Sequence, residues 1–191
     1  MTKGRLEAYS DAVIAIAITI MVLELHAPEG GSWEAVRPLL PTLLTYALSF
    51  VFLAIYWNNH HHLLHAADRI NGKILWANQH LLFWLSLMPF ATAWVGRSHF
   101  APLPISLYGV VLLAAGIAYL ILQGAIVAHH GPDSKLAAAL GGDFKGKISA
   151  LSYVLAIPLA FVDRRLSIGI YVFVALLWLV PDRRIESKLE R

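Results

Sequence analysis

Arg5-Leu6-Glu7-Ala8-Tyr9-Ser10-Asp11-Ala12-Val13-Ile14-Ala15-Ile16-Ala17-Ile18-Thr19-Ile20-Met21-Val22-Leu23-Glu24-Leu25 is the stretch that decides how this chain folds. It contains neither glycine nor proline. Its length matches the ~20 residues that carry a helix across a ~30 Å hydrocarbon core at about 1.5 Å per residue. Charges this close to an apolar run are costly unless they are paired or hydrated. At about 100° per residue, Ile16, Thr19, Ile20 and Leu23 share one face, while Asp11 points roughly 140° away from Ile16. The helix thus predicts an apolar stripe carrying one hydroxyl, with the carboxylate directed elsewhere in a bundle.

The rest of the chain agrees with a membrane setting. Hydrophobic residues make up 58% of 191 residues and charged residues 14%, with a mean hydropathy of +0.63. Soluble domains carry roughly a quarter charged residues, so the composition predicts an all-α integral membrane protein. Apolar runs at about 6–25, 40–64, 74–95, 105–128, 148–162 and 166–180 predict a single six-helix membrane domain over residues 1–191. They are parted by His26-Ala27-Pro28-Glu29-Gly30-Gly31, His129-His130-Gly131-Pro132, the polar stretch Gly141 to Lys147, and Asp163-Arg164-Arg165. The last break predicts a tight turn and an antiparallel hairpin. Its two helices are short for a bilayer and call for snorkelling Arg and Lys at their ends. No run alternates with a period of two, which argues against strands.

Lysine and arginine set the orientation. With the N-terminus inside, the inner side holds Lys3, Arg5, Arg69, Lys73, Lys135, Lys145, Lys147, Arg183, Arg184, Lys188 and Arg191. The outer side holds Arg37, Arg97, Arg164 and Arg165. The excess predicts both termini in the cytoplasm. Trp33, Trp76 and Trp94 fall near predicted helix ends, where aromatic belts lie. Glu7 and Asp11 at the start of the first run, and the length of that run, read against a cleavable signal peptide. The basic residues form short clusters between apolar runs, not one basic face, which excludes nucleic acid as a partner. Without cysteine there are no disulfides, thiolate zinc sites or cysteine nucleophiles.

The second run descends toward the inner side and ends in Tyr56-Trp57-Asn58-Asn59-His60; the third begins there with Asn78 and His80. Arg5, Ser10, Asp11, Trp57, His60 and Asn78 are therefore expected at one depth, as a hydrogen-bonded structural network that satisfies the charges. His60-His61-His62 with His65 and Asp68 invites a second reading, because His61 and His65 have the i, i+4 spacing of metal ligands. A His-rich membrane protein binding haem or a divalent metal is the alternative function. Glu24 lies at the outer end of the first helix, where it could draw cations or simply be solvated. No nucleophile stands beside a base and a carboxylate outside the network already described, so an enzyme is not expected.

Arg5-x-x-x-Tyr9-Ser10-Asp11 followed by Ala15-Ile16-x-x-Thr19, Trp57-x-x-His60, and Asn78 with Pro89-Phe90 resemble the endolysosomal potassium channel family of transmembrane protein 175. The likeness is greatest to its bacterial members, which carry one six-helix unit per chain. The resemblance implies a homotetramer in which helix one of each subunit lines a central pore. It implies gate and selectivity positions at Ile16, Thr19, Ile20 and Leu23, a hydrophobic constriction, and no carbonyl filter. Leu107-Tyr108-Gly109-Val110 is the nearest approach to a filter sequence and is not one. Potassium, and other monovalent cations with it, would be the permeant ion, with no resident cofactor or metal. The expected setting is the bacterial plasma membrane. Tyr9 stands where the family usually has Phe, and its hydroxyl needs a partner or water.

Overall fold

The computed structural model describes residues 2–67, 69–131 and 144–179, and these are helical almost throughout. Lys135, the tail residues Arg183, Arg184, Lys188 and Arg191, the last residue of the sixth run (Val180), Asp68 and the stretch 141–143 lie outside the described residues. The helices are α1 (Lys3–Leu23), a short α2 (Trp33–Val36), α3 (Leu40–His65), α4 (Gly72–Ser86), α5 (Met88–Arg97), α6 (Pro102–His130), α7 (Phe144–Leu159) and α8 (Arg164–Leu179). α2 runs into α3 through a tight helical turn, Arg37–Leu39. Pro38 and Pro41 fit because each sits in a first turn, where a missing N–H costs nothing.

The third apolar run, expected as one helix, is two. α4 starts on Asn71, whose side chain accepts from the Ile74 N–H at 2.9 Å. It stops at Ser86, and α5 begins at Met88 with Pro89 in its first turn. Proline cannot donate to the carbonyl four residues back, and its ring crowds that carbonyl, so the helix breaks at Leu87.

Among the described residues three spans are long and apolar enough to cross a membrane: Lys3–Leu23, Trp33–His65 and Pro102–His130. α7 and α8 have 16 residues each, about 24 Å at 1.5 Å per residue. They form an antiparallel hairpin. Asp163 caps its turn through Oδ1 to the Arg165 N–H at 2.8 Å, Ser167 Oγ donates to the Ala156 carbonyl, and Trp178 Nε1 donates to Ser149 Oγ at 2.8 Å.

α6 is the central post, packed against α4 and α5 on one side and α7 and α8 on the other. Leu112, Ala115, Ala118, Leu122 and Ile126 form its buried face. At Gly109 the neighbouring hairpin comes so close that a Cβ would lie 2.0 Å from the Tyr171 hydroxyl, which donates to the Ile105 carbonyl at 3.1 Å. α1 packs on α3, α4 and α5.

Side-chain contacts fix the two ends of the bundle. At one end Lys3 Nζ donates to the His65 carbonyl at 2.9 Å, the Arg69 N–H donates to His130 Nε2 at 3.3 Å, and Asn71 and His129 lie 3.0 Å apart. At the other, Arg97 pairs with Glu24, and Arg164 donates to the Phe100 carbonyl at 3.4 Å. His99 and Phe100 both have positive φ, 50° and 61°, a backbone that costs non-glycine residues about 1 kcal/mol or more each. The reversal before Pro102 holds them there through N–H bonds to the Gly96 and Val95 carbonyls.

Candidate functional site

α1 has two sides. Leu6, Ser10, Ile14, Ala17 and Met21 recur at intervals of three and four and are buried against the chain's own helices. On the other side Ile16 is 57%, Ile20 44% and Leu23 72% exposed. Thr19 is exposed between them, and its Oγ1 donates back to the Ala15 carbonyl at 2.9 Å. With the proton spent on its own helix, the oxygen lone pairs are what Thr19 offers outward.

The six polar residues expected as one network separate into two sets and a remainder. Asn78 Nδ2 donates to Ser10 Oγ at 3.0 Å, Ser10 Oγ donates to the Leu6 carbonyl at 2.8 Å, and Asn78 Oδ1 lies 2.7 Å from His60 Nε2. Because this amide oxygen can only accept, His60 carries its proton on Nε2. Ser10 and Asn78 are 0% exposed and His60 is 1% exposed. The triad is sealed and ties α1 to α4 and α4 to α3.

Asp11 and Trp57 form the second set, with the indole Nε1 donating to Oδ1 at 2.9 Å, and both residues exposed. Neighbours in sequence, Ser10 and Asp11 face different surroundings because one helical step turns the side chain by about 100°. Arg5 is exposed and has no hydrogen bond or ion pair among the described residues. Tyr9 is exposed as well.

A further polar cluster was not expected from the sequence. Thr92 Oγ1 lies 2.6 Å from the Met88 carbonyl, 2.7 Å from Ser49 Oγ and 3.6 Å from Met21 Sδ; Ser49 Oγ lies 2.9 Å from the Tyr108 hydroxyl. The four side chains, those of Met21, Ser49, Thr92 and Tyr108, are buried. They join α1, α3, α5 and α6 at a depth where backbone carbonyls are occupied by the helices themselves. Leu107-Tyr108-Gly109-Val110 lies inside α6, with Tyr108 in this cluster and Gly109 against Tyr171. Each of the three apolar runs concerned carries more than one hydroxyl, and nothing in the sequence singles out Ser49, Thr92 and Tyr108 among them.

The histidines do not converge. His60 is buried in the triad, while His61 stacks between Trp57 and His65 with ring centroids 6.0 and 6.1 Å apart. Among the described residues no group of three or more His, Asp or Glu is placed to hold a metal ion. Glu24 is half-buried and its carboxylate is engaged by Arg97.

Comparison with known proteins places this geometry. The family model described as the endosomal/lysosomal potassium channel TMEM175 matches residues 5–89, which hold the exposed stripe and both polar sets. A protein of Chryseobacterium sp. (strain P1-3), named a potassium channel, is 55% identical over 190 residues, covering 100% of this chain and 99% of that protein. A potassium channel of Streptomyces collinus (strain DSM 40733 / Tue 365) is 29% identical, covering 91% of this chain and 90% of that protein. The crystal structure of a lysosomal potassium-selective channel TMEM175 homolog from Chamaesiphon minutus superimposes with a TM-score of 0.80 at 28% identity, covering 93% of this chain and 96% of that one. These relatives are ion channels, not enzymes, and with the long apolar helices they mark a multi-pass membrane protein. The chain belongs to the TMEM175 channel family.

Proposed function

We propose that this protein is a potassium-permeable cation channel in which four copies surround a central axis and α1 of each copy lines the pore. The observation that carries the reading is the uncovered apolar stripe of Ile16, Ile20 and Leu23, on a helix whose opposite side is fully engaged with its own chain. One such helix cannot enclose a path, whereas a closed ring of like helices can. Stacked rings of Ile16, Ile20 and Leu23 form a constriction in which water finds no hydrogen bond except at Thr19. The names of the relatives supply the ion. Potassium releases its water more cheaply than sodium, so a narrow apolar ring favours it without a carbonyl filter. The residues of Leu107-Tyr108-Gly109-Val110 serve packing in this reading.

Ser10, Asn78 and His60, with Asp11 and Trp57, position α1 and do not bind the ion. Potassium is cargo, and no resident cofactor is invoked. The end that carries Lys3, Arg5, Arg69, Lys73, Lys145 and Lys147 faces the cytoplasm, as the positive-inside rule requires. Six crossings follow (α1, α2 with α3, α4 with α5, α6, α7, α8), with both termini on the cytoplasmic side of a bacterial plasma membrane.

Potassium and sodium flux into liposomes holding the purified protein tests the reading. The native chain passes potassium in preference to sodium. Ile16→Asn or Leu23→Asn hydrates the constriction, raises flux and weakens the discrimination. A protein that is only monomeric or dimeric by mass in mild detergent, or equal effects from Asn at Ile16 and at Ile14, would remove α1 from the pore.

A further inference from the structure

On the flank of α3 away from Trp57, a half-open cleft runs between α3, α6, α7 and α8. Its walls are apolar side chains, among them Phe52, Leu113, Leu120 and Tyr153. Most of the polar groups along it are already bonded to protein; the Tyr153 hydroxyl is the exception among the described residues. Tyr119 OH donates to the Asn59 carbonyl at 3.1 Å, Tyr56 OH to the Leu112 carbonyl at 3.4 Å, and Trp178 Nε1 to Ser149 Oγ at 2.8 Å, while Ser149 Oγ donates to the Lys145 carbonyl. A polar ligand gains little in such a space, and hydrocarbon loses little.

The cleft has a direction. Between Phe52 and Asn59 it follows α3 for about 10 Å at 1.5 Å per residue, toward the end of the bundle where Lys3 bonds His65. There α7 begins, with Lys145 Nζ 5.9 Å from the Trp178 ring and Lys147 exposed one turn short of Ala150. Among the described residues no acidic side chain lines the cleft. An apolar slot with cations at its mouth, aligned with the bilayer normal, has the polarity of one leaflet's anionic lipid.

We infer that the cleft holds one acyl chain of an anionic phospholipid from the adjoining leaflet, with its phosphate at Lys145 and Lys147. The site stands apart from α1, and the inference does not depend on conduction. Gly116 gives the means to test it, because a Cβ there meets only the Tyr56 hydroxyl at 3.7 Å, so a larger side chain fills the slot without evicting a bonded group. Ala150 does the same from the opposite wall.

The protein is equilibrated with equal amounts of phosphatidylglycerol and phosphatidylcholine in detergent, washed, and weighed by native mass spectrometry. Phosphatidylglycerol should stay on the native chain through a wash that strips phosphatidylcholine. Gly116→Leu and Ala150→Leu should each cut that retention at least about ten-fold, the ratio that marks a lost site over scatter. Lys145→Gln with Lys147→Gln should abolish the preference between the two lipids. Equal retention of both lipids by the native chain, or undiminished retention in a folded filled variant, overturns the proposal. On the native chain, phosphatidylglycerol with brominated acyl chains should quench the emission that Trp178→Phe removes more than brominated phosphatidylcholine does. Equal quenching overturns the proposal even where both filled variants fail to fold.

Discussion

The two sides of α1 invert what a soluble helix does. The side turned into the chain carries the buried polar bonds, Ser10 to Asn78 and Met21 to Thr92, while the side turned outward carries Ile16, Ile20 and Leu23, with Asp11 bonded to Trp57 near its N-terminal end. In water that outward side would be a liability. In a bilayer apolar exposure is free, and the expensive groups are the ones that must be buried and bonded. The inward side is therefore specified by chemistry and the outward side by what another body asks of it.

This contrast can be broken at graded cost. Ile14→Asn places an amide where a fully buried branched side chain packs; a loss of about 3 kcal/mol is expected from cavity and desolvation together, read as a large drop in melting temperature. The same change at Ile16 should cost little stability, and a comparable loss at both would erase the distinction between the sides. Asn78→Ala strands the buried Ser10 and His60 groups and should cost about 2 kcal/mol; Ser10→Ala in the same background should add little, because its partner is already gone. Asp11→Ala removes one bond to an exposed indole, so a cost near 1 kcal/mol is expected, well below that of Asn78→Ala. A larger cost for Asp11 would mean that a second copy buries it. Smallest is Glu24→Gln, which loses a largely exposed ion pair worth about 0.5 kcal/mol and should show its effect only at low salt.

What the sequence could convey follows the same divide. The apolar stripe of α1 was legible because helical period alone fixes which residues share a face. Its Arg5-to-Asp11 motif was specific enough to carry the family. The partition of the polar residues was not legible. Depth along a helix can be counted from sequence, but whether Ser10 or Asp11 meets α4 depends on how the two helices are rotated about their axes, which packing decides. Pro89 was visible too, yet a proline in an apolar run permits either a kink or a break. Ser49, Thr92 and Tyr108 were invisible for a simpler reason. Serine and threonine can bond their own helix and each of the three runs holds more than one hydroxyl, so nothing in the sequence announces that these three meet.

The break at Leu87 has a mechanical consequence. α4 grips the N-terminal half of α1 through Asn78 and Ser10, and α5 grips its C-terminal end through Thr92 on Met21 and Arg97 on Glu24. The two clamps are thus mounted on separate beams that meet at a joint. A change of angle at that joint cannot keep both clamps closed unless α1 bends or twists by the same amount, and the motion is delivered to the segment between them, where Ile16 and Ile20 lie.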